Sequence, residues 1–82
     1  MKLLGRESGG ERWVMPKKIR ELKAMLAKAG FLWRPGKGAH TVWYHSVVKG
    51  VSIALSGHDG DDAPPYLEHR VKKTIRSVGG KP

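Results

Sequence analysis

Cysteine is absent from the 82 residues. That excludes disulfide staples and thiolate metal sites, and it suits a reducing compartment such as the cytoplasm. Acidic residues are scarce, seven Asp and Glu against sixteen Lys and Arg. None of them lies near His40 in sequence, so two-carboxylate hydrolysis of the glycosidase kind is not expected. No apolar run approaches the ~18 residues that a membrane span requires. The opening Met1-Lys2-Leu3-Leu4-Gly5-Arg6 has no apolar core of a secretory signal. Ser46, Ser52 and Ser56 lack a Gly-x-Ser-x-Gly setting. Neither a P-loop nor a dinucleotide-binding glycine fingerprint occurs.

What is present is positive charge. The formal net charge is +9 and the isoelectric point is about 10.3. The excess is uneven: residues 15–58 hold eight Lys or Arg and one Glu, whereas Asp59, Asp61 and Asp62 follow as an acidic knot. A field of this sign favours polyanions, of which nucleic acid is the commonest in a cytosol. Hydrophobic residues make up 39% of the chain, enough for one small core and too many for a disordered tail.

The pattern along the chain predicts one domain over residues 15–80, preceded by a flexible arm over 1–14, with Met15 as a second candidate start. Lys17 to Ala29 reads as an amphipathic helix with Ile19, Leu22, Met25, Leu26 and Ala29 on one face and lysines on the other. Pro16 suits the first turn and Gly30 the C-terminal cap. Phe31–Arg34, His40–Val47 and Val51–Leu55 read as strands rich in aromatic and β-branched residues. Turns at Pro35-Gly36 and Lys49-Gly50 separate them. A second helix starts at Pro64 or Pro65, carries Leu67, Val71, Ile75 and Val78 on one stripe, and stops at Gly79-Gly80. The predicted class is α+β in the order α-β-β-β-α. Short connections imply a three-stranded antiparallel meander with both helices on one face and the other face open.

Histidine is the side chain able to exchange protons near neutrality. His40 follows the basic, glycine-rich phrase Pro35-Gly36-Lys37-Gly38-Ala39. Glycines allow a phosphate to approach the backbone closely, and Arg34 and Lys37 supply charge to hold it. In a regular strand His40, Val42 and Tyr44 share a face, so His40 and Tyr44 are expected to line the open side as an RNA platform. Lys17 and Lys18, on the polar face of the first helix, and Gly38 join the expected RNA contacts. His45 would point the other way and is expected to be structural; His58 sits on a loop within reach of the site. RNA carries its own nucleophile: a base that removes the 2′-hydroxyl proton lets it attack the adjacent phosphate, and nearby cations stabilise the charge that builds up. His58-Asp59-Gly60-Asp61-Asp62 lacks the spacing of a calcium loop, and the acids are expected to complement the dipole of the last helix. No metal and no cofactor is expected. The alternative is a non-catalytic double-stranded-RNA-binding module that uses the same basic surface.

The ordered pieces Ala29-Gly30-Phe31, Gly38-Ala39-His40, Trp43-Tyr44-His45, His58 and a basic last helix ending at Gly79 resemble the HicA family of bacterial toxins. Those toxins are mRNA interferases. The likeness runs from Met15 to about Gly80. It implies a fold similar to the double-stranded-RNA-binding domain. It further implies endoribonuclease action on mRNA with His40 as the single catalytic residue. Its implied partner is a HicB-like antitoxin, bound by a toxin that is monomeric when free. Ala39 stands where that family has serine, and the Asp59–Pro65 stretch is unusually acidic and proline-rich.

Overall fold

A computed structural model describes residues 16–81; the arm expected over residues 1–14 lies outside the described residues. The elements run α1 (Ile19–Lys28), β1 (Phe31–Pro35), β2 (Thr41–His45), β3 (Ser52–Leu55) and α2 (Pro65–Ser77). The strands form one antiparallel sheet in the order β1-β2-β3. The α-β-β-β-α order and the open three-stranded sheet therefore match the sequence reading.

Register decides which side chains meet. Trp33, Trp43 and Ile53 lie opposite one another across the three strands, as do Leu32, Tyr44 and Ser52 on the other face. The first set points toward the helices and the second toward solvent, the period-2 alternation of a half-buried sheet. The core joins Phe31, Trp43, Ile53 and Leu55 of the sheet with Ile19, Leu22 and Leu26 of α1 and Leu67, Val71 and Ile75 of α2. Among the described residues no polar or charged side chain is buried. α1 packs over β1, α2 packs over β3, and the helices touch each other.

The second strand is shorter than the expected His40–Val47, for two local reasons. The His40 N–H turns back to the Lys37 carbonyl at 3.0 Å, and the His40 carbonyl accepts from the Gly36 N–H at 2.9 Å. These bonds close the hairpin turn, so His40 is its last residue and Thr41 begins the strand. At the far end the His45 ring captures the chain: its Nδ1 accepts from the N–H groups of Val47 and Val48 at 3.1 and 2.9 Å. With Nδ1 an acceptor, Nε2 carries the hydrogen and donates to the Ala29 carbonyl at 3.1 Å. His45 thus ties the end of α1 to the β2–β3 turn, edge-on to Phe31 at 5.0 Å, in the structural role expected of it.

The acidic loop has a role that the sequence did not reveal. It does not cap α2, whose cap residue Pro64 offers no side-chain acceptor. Instead the carbonyls of Asp61 and Asp59 accept from the Ile19 and Arg20 N–H groups at 2.9 and 3.2 Å, and Ala63 N–H donates to the Lys17 carbonyl at 2.7 Å. The loop satisfies two of the donors that a helix leaves free at its start, and the Lys18 N–H donates to Glu21 Oε1 at 3.2 Å. That docking also explains why α1 begins at Ile19 rather than Lys17: Lys18 is bridged to Asp62.

Candidate functional site

The β1–β2 turn and the β3–α2 loop meet beside α1, leaving an open cleft of about 370 Å³. Gly38, Ala39 and His40 form one wall, Gly57, His58 and Asp59 another, and Pro35, Thr41 and Lys23 of α1 complete it. Two glycines shape the histidine wall. Gly38 has φ +58°, a conformation costly for other residues. At Gly36 a Cβ would lie 3.2 Å from the His40 Cβ, so a side chain there would crowd the histidine. His40 itself is exposed.

Lys23 is the cation of this cleft. Its Nζ donates to Asp59 Oδ1 at 2.5 Å. The hydrogen bond from Lys23, and then its charge, hold the Asp59 carboxyl below the usual carboxylate value. Of the other acids in the loop, Asp62 pairs with Lys18 and Asp61 accepts from the His58 N–H at 2.9 Å. The carboxylates are engaged with lysines and backbone, and no group of three or more His, Asp or Glu side chains converges as a metal site among the described residues.

Lys23, Thr41 and Asp59 also line a second recess, of about 320 Å³, whose remaining walls are Trp33 and Trp43. The two indoles are 6.4 Å apart and tilted by 31°. Trp43 is buried, but Trp33 keeps 56% of its surface exposed, although it faces the helix side of the sheet. Trp43 Nε1 donates to Thr41 Oγ1 at 3.0 Å.

The expected site residues therefore divide. His40 and Gly38 share the cleft, with Lys37 at the exposed turn between them and β1. Arg34 and Tyr44 lie on the opposite, open face of the sheet, with Leu32 and Val42, whereas His40 lines the cleft that Lys23 of α1 also lines, apart from the platform expected with Tyr44. Lys18 is paired with Asp62, and Lys17 and Lys18 sit where α1 meets the acidic loop, outside the cleft lining. The sequence reading missed Lys23 as a site residue because it assigned that lysine to the solvated helix face. The available signal was its place one residue after Leu22 and four after Ile19, on the flank of the apolar stripe.

Fold and cleft together define a small basic α+β domain with a histidine presented on a glycine turn next to a lysine. Residues 19–77, more than two-thirds of the chain, match the family model described as HicA toxin of bacterial toxin–antitoxin. The chain belongs to that family, and so is the toxin half of a toxin–antitoxin pair with an antitoxin as its partner. No curated protein and no solved structure matches the chain.

Proposed function

We propose that this toxin is a metal-independent endoribonuclease that cuts mRNA in the cytoplasm, with residues 15–80 as the working domain. One observation carries the reading: an exposed histidine, His40, lines an open cleft together with Lys23 and a second histidine, His58. His40 removes the proton from a ribose 2′-hydroxyl. The 2′-oxygen forms a bond to the adjacent phosphorus and the bond to the departing 5′-oxygen breaks. His58, on the facing wall, supplies the proton that the departing oxygen takes up. The products are a 2′,3′-cyclic phosphate and a 5′-hydroxyl end. Lys23, with Lys37 and the Gly38 backbone at the rim, holds the phosphate and offsets the charge it gains, the largest single contribution in reactions of this type. Asp59 keeps Lys23 in position before a phosphate arrives. Arg34 and Tyr44 contact flanking RNA on the outer face. A HicB-like antitoxin silences the otherwise monomeric toxin by covering the cleft.

The test uses one RNA in two forms, unmodified and fully 2′-O-methylated, in the presence of EDTA. The unmodified strand is expected to be cut to cyclic-phosphate and 5′-hydroxyl ends, and the methylated strand to be bound but intact. Cutting that requires added Mg²⁺, or cutting of the methylated strand, would contradict the mechanism. Binding without any cutting would favour a non-catalytic RNA-binding module.

A further inference from the structure

We infer that the recess between Trp33 and Trp43 is a nucleobase subsite, which holds a base of the nucleotide next to the phosphate in the His40 cleft. The inference rests on the ribonuclease reading and deepens it by naming how the substrate is positioned.

Three observations lead there. An exposed tryptophan on the helix side of a sheet is anomalous, because that is the side on which indoles are normally buried, as Trp43 is. The α1 residue that lines the recess with Trp33 is Lys23, not an apolar side chain. The indole face is therefore left available beside a cation. Second, the recess is continuous with the catalytic cleft: Lys23, Thr41 and Asp59 line both. A ligand that fills both must be anionic at the His40 end and flat and apolar at the other, which describes one nucleotide. Third, the recess offers a polar handle. Thr41 Oγ1 accepts from Trp43 Nε1, which leaves its own O–H to donate to an acceptor on the edge of a base. Trp33 supplies the stacking surface. Such stacking tolerates any base, since each has a π-face, while the Thr41 hydroxyl favours bases with an acceptor at that edge. The occupant is thus an RNA base. A protein side chain would not need the phosphate site that adjoins it.

The test is a cycle between protein and substrate, on the full chain. The protein is wild type, Trp33→Ala or Trp33→Phe. The substrates are an RNA with one mapped cut and the same RNA made abasic, in turn, at each of the two nucleotides flanking that cut. Affinity is read on 2′-O-methyl versions and rate on unmodified ones. Trp33→Ala is expected to bind the intact RNA about 5- to 150-fold more weakly than wild type, the range measured for loss of one stacked base. It is expected to show no such deficit on one of the two abasic strands, and Trp33→Phe is expected to recover most of the loss. An equal deficit on intact and both abasic strands, or no deficit on any, overturns the subsite. If the wild-type chain binds but never cuts, the ribonuclease reading is overturned, and the same affinity cycle, run with single abasic positions scanned along the bound 2′-O-methyl RNA, decides the subsite. A position at which the Trp33→Ala deficit disappears supports it, and the lack of any such position overturns it. A wild-type chain that neither binds nor cuts RNA overturns both.

Discussion

Gly36 and Gly38 sit two residues apart in the turn that carries His40, yet alanine at each should act by a different route. A Cβ at Gly36 would meet the His40 Cβ at 3.2 Å and its carbonyl oxygen at 3.3 Å, against ~3.5–4.0 Å for an unstrained contact. The turn must open by roughly 0.3–0.5 Å to relieve this, which moves the histidine itself. Its backbone needs no left-handed angle, and the turn is exposed, so the fold should tolerate the change within a few tenths of a kcal/mol to about 1 kcal/mol. Displacement of a proton-transfer group by about 1 Å costs up to ~10²-fold in rate, so Gly36→Ala is expected to cleave about 10-fold more slowly. At Gly38 nothing lies within 4 Å of a Cβ, but φ is +58°. Alanine there meets no neighbour and instead pays about 1–2 kcal/mol for the left-handed backbone, a fall of roughly 4–16 °C in Tm for a domain of this size. The assay pairs thermal melts with single-turnover cleavage well below both melting temperatures. Gly36→Ala should lose rate with little loss of Tm, whereas Gly38→Ala should lose Tm, with any loss of rate coming from the phosphate's approach to the Gly38 backbone rather than from a shift of His40. Full activity in Gly36→Ala, with RNA affinity unchanged, would refute the idea that the position of His40 sets the rate.

Two further outcomes follow from the packing. Leu26 is completely buried in the core cluster, and Leu26→Ala should lower the unfolding free energy by about 2–5 kcal/mol; a loss below ~1 kcal/mol in urea titration would contradict this core. Asp59 has its folded-state value depressed by Lys23. Its stabilisation is therefore complete above the ordinary carboxylate value and is lost as pH falls through the lowered one. The gap in urea midpoint between wild type and Asp59→Asn should be constant near neutrality and close only in acid below the ordinary carboxylate range. A gap that persists unchanged through that range would mean the pair with Lys23 does not hold in solution.

The elements were legible because their determinants are local. The stripe of Ile19, Leu22 and Leu26 and the stripe of Leu67, Val71 and Ile75 each show helical spacing, and alternation in β3 marks a half-buried strand. His40 stood out for the same reason, since its turn is written in adjacent residues. The rest of the cleft was hidden because it is assembled from distant segments. Lys23 and Asp59 meet only because the β3–α2 loop docks its carbonyls on the first turn of α1, a tertiary contact with no local periodicity. Trp33 and Trp43 meet through a strand register that depends on how many residues the Gly36–His40 turn consumes. His40 was expected on the open face because strand alternation was extended one residue too far, into a turn where period-2 geometry no longer applies.

The central claim is that the imidazole of His40 performs chemistry rather than merely touching RNA. The most direct measurement compares wild type with His40→Ala on one unmodified RNA, following both affinity and the appearance of cyclic-phosphate ends. Loss of one general acid–base group predicts cleavage slower by ~10²–10⁴-fold, with an unchanged melt and affinity within a few-fold of wild type. Cleavage by His40→Ala at the wild-type rate, with the same ends, would contradict the account.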